Sequence, residues 1–259
     1  MNIPKIKLIN EAEMPVLGLG TWDLKGINCV DAVKKAIELG YRHIDTAELY
    51  ENEEEIGEAI KDFKRKELFI TSKISPKNLT YDGVFRSFEN SLSKLKTDYL
   101  DLYLIHWPEK FREDVYKAFK ELYSEKKIRA FGVSNFKVSD MKRAFEICGK
   151  EGLPVAVNQV EFHPFLNQKK ILDYCDDKGV LIISYSPLAR RDILGNSVLK
   201  EISKKYNKSP AQVSLRWLLD KGTAVIPKAS SEGHLKENID VFDFKLDKDD
   251  AEKIDGLDE

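Results

Sequence analysis

The chain has few of the features that mark membrane, disulfide-rich or metal-binding proteins. Its 259 residues include only three cysteines, Cys29, Cys148 and Cys175, which lie far apart and in no C-x-x-C spacing. This pattern indicates reduced thiols that are buried or half-buried, rather than a disulfide framework or a cysteine metal site. No apolar run approaches the roughly 18 residues of a membrane span, and the N-terminus lacks a continuous apolar segment. We therefore expect a cytoplasmic protein.

The sequence also lacks an excess of charge of one sign. Its 42 basic and 44 acidic residues are interspersed and give a formal net charge of -2. Such a balance provides no overall attraction to nucleic acid or to an anionic membrane. We expect a protein that acts on small molecules, and a monomer, because no long exposed apolar stripe is evident.

Several strong motifs are missing. The G-x-G-x-x-G fingerprint is absent, since Gly18-Leu19-Gly20 is followed by Thr21, Trp22 and Asp23, and the chain has neither a Walker A loop nor H-E-x-x-H. A nucleotide, if bound, is not held by a Rossmann fingerprint, and no metal is expected. No linker rich in Pro, Gly or Ser divides the chain, which predicts one domain over residues 1–259.

What the sequence does contain is a repeated alternation of short apolar strands and amphipathic helices. The predicted strands are Val16–Gly20, Arg42–Ile44, Leu68–Lys73, Tyr99–His106, Ile128–Val133, Ala156–Gln159, Val180–Tyr185 and Ala224–Pro227. The predicted helices are Cys29–Leu39, Asn52–Phe63, Tyr81–Leu95, Arg112–Glu125, Val138–Cys148, Gln168–Lys178, Val198–Tyr206, Pro210–Leu219 and Ser231–Ile239. Eight such units predict an α/β fold, a (β/α)8 TIM barrel, with an open doubly wound sheet as the main competitor. A short N-terminal β-hairpin precedes them and is expected to plug one end.

In a barrel, residues just past the carboxyl ends of the strands converge on one site. Three consecutive strands deliver Asp45 with Tyr50, then Lys73, then His106. Each residue alone is more often structural than catalytic, but together they suit carbonyl reduction. The ammonium of Lys73, held by Asp45, is expected to lower the pKa of the Tyr50 phenol, while His106 orients the carbonyl oxygen. Hydride must then come from a cofactor.

The later strands offer a place for that cofactor. Tyr185 can stack on a flat ring, and Ser134, Asn135 and Gln159 can hydrogen-bond a carboxamide. Lys228, Ser230 and Ser231 precede a helix whose N-terminal amides form an anion site, although a plain N-cap explains the two serines equally well.

These segments resemble the aldo-keto reductase family, over nearly the whole chain. The matching motifs are GLGTW (18–22), DTAELYENE (45–53), SK (72–73), LIHWP (104–108), GVSNF (132–136), NQVE (158–161), YSPL (185–188), IPK (226–228) and EN (237–238). The resemblance, to short-tailed, prokaryotic-type members such as diketogluconate and aldehyde reductases, implies a barrel fold and NADP(H)-dependent reduction of aldehydes or ketones without a metal.

The resemblance also implies roles for individual residues. The catalytic tetrad would be Asp45, Tyr50, Lys73 and His106, and Trp22, Tyr50, His106 and Trp107 would contact the substrate. Cofactor contacts would come from Thr21, Trp22, Asp45, Ser134, Asn135, Gln159, Tyr185, Ser186, Leu188, Lys228, Ala229, Ser230, Ser231, His234, Glu237 and Asn238.

The chain departs from the family pattern in two places. Ala229 and His234 stand where a serine and an arginine are typical, and histidine is only partly charged at neutral pH. We therefore expect NADP(H) to be preferred through Lys228, with NAD(H) also accepted and the preference growing as pH falls. The sequence ends at Glu259, where many family members continue into a tail that folds over the substrate mouth, so we expect an open, weakly selective pocket. Trp217, on a helical apolar stripe, is expected in the core.

Two other functions remain open at this level. A nicotinamide-binding sensor or regulatory subunit with negligible turnover would keep the same residues, although the intact tetrad weighs against it. The second alternative is a barrel hydrolase or isomerase that uses His106 and Asp45. The predicted anion site after the eighth strand and the lack of metal-ligand spacing disfavour it. The physiological substrate and the direction of reaction are not readable from the sequence.

Overall fold

The computed structural model describes residues 3–109 and 111–258. Its strands are β1 (Lys5–Lys7), β2 (Glu13–Pro15), β3 (Leu19–Gly20), β4 (His43–Asp45), β5 (Phe69–Ile74), β6 (Leu100–Ile105), β7 (Ile128–Ser134), β8 (Val155–Glu161), β9 (Leu181–Tyr185) and β10 (Ala224–Val225). The last eight form one parallel sheet in which each strand pairs with the next in sequence.

The first and last strands of this sheet also meet. Leu17 bridges to Val225 and Gly20 bridges to Lys228, both in the parallel sense. A Cβ atom at Gly20 would lie 2.5 Å from the carbonyl oxygen of Ile226, so this seam requires a glycine. The sheet is therefore closed, which confirms the predicted (β/α)8 barrel and excludes the open doubly wound alternative.

Helices cover the outside of the barrel. They are α1 (Gly26–Glu38), α2 (Glu53–Ile60), α3 (Tyr81–Leu95), α4 (Glu113–Ser124), α5 (Val138–Glu151), α6 (Lys169–Asp177), α7 (Ser197–Lys205), α8 (Pro210–Asp220), α9 (Glu232–Ile239) and α10 (Lys248–Asp255). Local signals fix several of their starts: Ser209 accepts a hydrogen bond from the Gln212 N–H, and Pro210 takes the first position of α8. The predicted bounds agree to within a few residues.

One helix, α10, was not predicted from the sequence. Its eight residues are mostly charged, and only Asp250 and Ile254 are buried. The apolar periodicity that identifies a helix is therefore almost absent. Asp247 caps its N-terminus by accepting a hydrogen bond from the Asp250 N–H.

The N-terminal hairpin closes the amino-terminal end of the barrel, as predicted. β1 and β2 pair antiparallel, and Leu8 and Met14 belong to the same buried cluster as the interior strand residues Leu102 and Val157. Trp217 lies in the core, with only 1% of its surface exposed, as expected. All three cysteines are free and buried, which confirms the interpretation of their spacing.

A histidine also lies inside the barrel. His43, on β4, is completely buried, and its Nε2 lies 3.0 Å from the Thr71 hydroxyl. Its ring meets Phe69 edge-on, with 5.1 Å between the ring centres. Burial lowers the pKa of His43 to about 4, so the ring is neutral at physiological pH.

Within the described ranges, no helix combines the length and apolar character needed to cross a membrane.

Candidate active site

A cavity of about 320 Å³ opens at the carboxyl ends of the strands. Loops after six of the strands contribute to it, so residues far apart in sequence meet there, as the barrel predicts. Its lining residues are Gly20, Thr21, Trp22, Asp45, Leu49, Tyr50, His106, Trp107, Ser134, Asn135, Gln159, Tyr185, Ser186, Arg190, Ile226 and Lys228.

At the floor of the cavity, Asp45 and Lys73 form a buried ion pair. Lys73 Nζ lies 2.6 Å from Asp45 Oδ1, and the two side chains are 0% and 1% exposed. Lys73 also donates to the carbonyl of Thr46 at 2.8 Å, and Gln159 Nε2 donates to Asp45 Oδ2 at 2.7 Å. Burial opposes the charge on Lys73, but attraction from Asp45 and Tyr50 outweighs it and raises the pKa of the ammonium. Lys73 therefore stays charged at neutral pH.

Tyr50 places its phenol directly above this pair. The residue ends a short 3₁₀ turn, Glu48–Tyr50, and its hydroxyl accepts a hydrogen bond from Lys73 Nζ at 3.2 Å. The pKa of Tyr50 is raised, because burial of the phenol outweighs the opposing effect of the Lys73 ammonium. The sequence-based expectation of a lowered pKa is therefore wrong for this state of the protein: the contact with Lys73 is present, but desolvation dominates.

His106 stands at the end of β6, edge-on to Tyr50. The centres of the two rings lie 5.6 Å apart, and the interplanar angle is 75°. Burial and the nearby charge of Lys73 lower the pKa of His106 to about 3. The imidazole is therefore neutral at physiological pH and can donate one hydrogen bond into the cavity without carrying charge.

Hydrogen bonds between polar side chains connect β7 and β9 to the backbone of His106. Tyr185 donates its hydroxyl hydrogen to Asn135 Oδ1 at 2.9 Å, and Asn135 Nδ2 donates to the carbonyl of His106 at 3.0 Å. Ser134 donates to the carbonyl of Gln159 at 2.9 Å. Asn135 adopts a left-handed backbone conformation with φ of 64°, which asparagine tolerates better than most residues. The bonds fix each side chain at the cavity wall.

Apolar side chains form the mouth. Trp22, Leu49 and Trp107 line the cavity and are 58%, 47% and 46% exposed, respectively. Large apolar side chains left in water beside a cavity are typical of a binding site for a ligand that covers them.

Two cations also line the cavity, and one of them, Lys228, places its Nζ 5.9 Å from the centre of the Trp22 ring. Lys228 Nζ forms an exposed ion pair with Asp23 Oδ2 at 3.1 Å, and Arg190 also lines the cavity. The residues around Arg190 are in the left-handed region, with φ of 43° at Ala189 and 86° at Arg191. Such conformations cost free energy in residues other than glycine.

Some predicted cofactor residues do not line the cavity. They are Leu188, Ala229, Ser230, Ser231, His234, Glu237 and Asn238. Ser230, Ser231 and His234 are exposed at the start of α9, whereas Ala229 and Asn238 are buried. Ser231 acts as the N-cap of α9, since its hydroxyl accepts from the His234 N–H at 3.3 Å.

Conversely, sequence reasoning missed four lining residues: Gly20, Leu49, Arg190 and Ile226. Leu49 lies inside the motif that contains Tyr50, and an exposed leucine between two polar loop residues was the signal that could have indicated it. Arg190 gave no signal, because its position depends on the loop conformation after β9. Among the described residues, no cluster of three or more His, Cys, Asp or Glu side chains could hold a metal ion.

Known proteins match this chain over nearly its whole length. The sequence profile described as "Aldo/keto reductase family" matches residues 16–259. The chain is 47% identical over 256 residues to "Glyoxal reductase" of Bacillus subtilis (strain 168), covering 97% of this chain and 92% of the relative. It is 39% identical over 261 residues to "Methylglyoxal reductase DkgA" of Escherichia coli (strain K12), with 98% and 93% covered.

A solved structure matches equally well. The crystal structure of MGS-M4, an aldo-keto reductase enzyme from a Medee basin deep-sea metagenome library, superimposes with a TM-score of 0.93 at 41% identity. It covers 98% of this chain and 94% of that one. The chain therefore belongs to the aldo/keto reductase family, whose members are oxidoreductases that use a nicotinamide cofactor.

Proposed function

We propose that the protein is an NADPH-dependent carbonyl reductase in which Tyr50 donates the proton. The observation that carries the proposal is the phenol of Tyr50, protonated at neutral pH, within 3.2 Å of the buried ammonium of Lys73 and at the edge of an open cavity. The substrate class is an aldehyde, ketone or keto-sugar.

The cavity has the groups that a nicotinamide cofactor needs. Tyr185 offers a flat ring, the amides of Asn135 and Gln159 line the wall, and Lys228 and Arg190 supply positive charge that would attract the phosphates of the cofactor. When bound, NADPH supplies the hydride that is added to the carbonyl carbon.

The protein's own residues orient and protonate the carbonyl oxygen of the substrate. The neutral imidazole of His106 hydrogen-bonds the carbonyl oxygen and aligns it with the Tyr50 hydroxyl. As negative charge develops on that oxygen, the phenolic proton moves onto it and the product is an alcohol. The phenolate that remains is stabilised by Lys73, whose charge is secured by Asp45. Solvent then returns a proton to Tyr50.

This scheme reconciles the raised pKa of Tyr50 with its role. A general acid must hold its proton until the substrate oxygen needs it, and burial ensures this at neutral pH. The ammonium of Lys73 then stabilises the phenolate that remains after the proton has moved to the substrate oxygen. Burial of the phenol therefore retains the proton, and the 3.2 Å contact with Lys73 stabilises the phenolate.

The apolar mouth and the names of the relatives favour small reactive aldehydes as test substrates. Relatives are named glyoxal and methylglyoxal reductases. Trp22, Leu49 and Trp107 offer carbon surface rather than hydrogen bonds, so we propose weak selectivity among such aldehydes. We also propose that NADH is accepted, because His234 stands where the family pattern has a permanent cation and is exposed in the first turn of α9.

The experiment is the loss of NADPH absorbance with a panel of aldehydes and diketones, for wild type and Tyr50→Phe, and repeated with NADH. We expect Tyr50→Phe to lose several orders of magnitude in kcat while its affinity for NADPH, measured by fluorescence, is retained. The matched control is Tyr81→Phe, which removes a hydroxyl bonded to Glu121 on the outer helices.

A different result would identify a different function. If wild type binds NADPH and reduces none of the carbonyls, the sensor alternative replaces the reductase. If Tyr50→Phe retains wild-type turnover, another group donates the proton and the mechanism is wrong.

A further inference from the structure

The turn that carries Tyr50 is too short to hold the phenol in place by itself. It has three residues, and it is preceded by Ala47 in an extended conformation and followed by Glu51 in the left-handed region, with φ of 50°. A single 3₁₀ turn has poor hydrogen-bond geometry and little intrinsic stability. The contact between Tyr50 and Lys73 therefore depends on bonds made by neighbouring residues.

Glu48 makes one set of these bonds. Its Oε2 accepts from the backbone N–H of Ser75 at 2.8 Å, and its Oε1 accepts from Asn78 Nδ2 at 2.6 Å. Ser75 lies two residues after Lys73, just as Glu48 lies two residues before Tyr50. The start of the turn is thus fastened to the segment that leaves β5.

Glu53 makes a second bond from the other side of Tyr50. It begins α2, is 1% exposed, and its Oε1 accepts from the Ser72 hydroxyl at 2.6 Å. Ser72 directly precedes Lys73 on β5. Burying a carboxyl is costly even with a partner, and burial raises the pKa of Glu53.

We propose that Glu48 and Glu53 are positioning residues that hold the Tyr50 hydroxyl against the Lys73 ammonium. The two carboxyls flank Tyr50, and their partners Ser75 and Ser72 flank Lys73. One hydrogen-bonded link on each side of the contact between Tyr50 and Lys73 restrains both the distance and the direction of that contact. The inference rests on the proposed function, because it assigns these residues to the proton-donating step.

Neither carboxyl lines the cavity. Their loss should therefore leave the binding of cofactor and substrate unchanged and reduce only the rate of the step that uses Tyr50. A displacement of about 1 Å in a catalytic group can cost roughly a hundredfold in rate. A fall in kcat with unchanged KM is the signature of positioning.

The first test compares Glu53→Ala, Glu53→Gln and Glu54→Ala. Glu54 is the matched control, since it is the next residue in the first turn of α2 and its side chain is exposed. We expect Glu53→Ala to lower kcat by about 10- to 100-fold with KM and NADPH affinity retained. Glu53→Gln should restore most of the loss, because its amide oxygen can still accept from Ser72. Glu54→Ala should behave like wild type.

A double-mutant cycle with Tyr50→Phe decides whether Glu53 acts through Tyr50. If it does, Glu53→Ala has no further effect on the residual rate once the phenol is gone. An equal drop in both backgrounds overturns the proposal, as does a Glu53→Ala variant with the same kcat as Glu54→Ala. Ser72→Ala removes the same bond with a change of one atom, and provides the test if Glu53→Ala does not fold.

A readout without turnover separates this inference from the reductase proposal. With ¹³C-labelled tyrosine, the ring resonance of Tyr50, assigned from Tyr50→Phe, reports its contact with Lys73. We expect this resonance to shift in Glu53→Ala and in Ser72→Ala but not in Glu54→Ala. If the resonance shifts but wild type reduces no carbonyl, the reductase proposal is overturned and the positioning role is retained. If the resonance does not shift, only the positioning role is overturned.

Discussion

Acidification should destabilise the protein through His43, the histidine inside the barrel. In the folded state its pKa is about 4, whereas an exposed histidine in the unfolded chain titrates near 6.5. The unfolded state therefore binds a proton that the folded state excludes. The stability linked to this residue is fully present above about pH 6.5 and is lost as pH falls toward 4.

The size of the effect follows from the two pKa values. Lowering the pH from about 7.5 to about 5 should remove roughly 2 kcal/mol from the free energy of unfolding through His43. Urea unfolding followed by tryptophan fluorescence, at several pH values, measures it. Other groups titrate in the same range, so the quantity of interest is the difference in pH dependence between wild type and His43→Gln.

Glutamine has a hydrogen-bonding amide but does not titrate. His43→Gln should therefore reduce the loss in the free energy of unfolding between about pH 7.5 and about pH 5 by about 2 kcal/mol, even if the variant is less stable at every pH. The control is His234→Gln, whose side chain is exposed. An identical pH dependence in wild type and His43→Gln would refute the reasoning, because the barrel interior would then accept the charged ring.

Three other substitutions have defined outcomes. Asp45→Asn leaves the buried ammonium of Lys73 without its counter-ion and should cost about 3–5 kcal/mol in urea unfolding, and a loss below about 1 kcal/mol would contradict this. Asp23→Asn releases Lys228 from its exposed ion pair, so the NADPH Kd from fluorescence titration should fall about two- to fivefold. An unchanged or weaker affinity would show that the ion pair does not compete with the cofactor for Lys228. Leu49→Ala removes apolar surface from the mouth and should lower kcat/KM for phenylglyoxal about three- to tenfold relative to methylglyoxal. Equal losses for both aldehydes would exclude a contact between Leu49 and the phenyl ring.

The barrel and its site were predictable from the sequence to different depths. The alternation of apolar strands and helices carried the fold, and the rule that strand ends converge was enough to bring Asp45, Lys73 and His106 together. The pKa of Tyr50 was not predictable, because desolvation depends on how completely the turn is covered. Arg190 was missed since a loop in left-handed conformations decides where its side chain points. The helix α10 was missed because it buries almost no apolar surface.

The hydrogen bond from Gln159 to Asp45 joins two parts of the chain that are 114 residues apart. Asp45, Lys73 and His106 come from β4, β5 and β6, whereas Ser134, Gln159 and Tyr185 come from β7, β8 and β9. Each half of the barrel therefore carries an incomplete site, and neither half can position the other's side chains before the sheet closes. During refolding, recovery of the site should lag behind recovery of helical structure and coincide with ring closure. The same division means that the chain cut between β6 and β7 would regain its site only when both fragments reassemble.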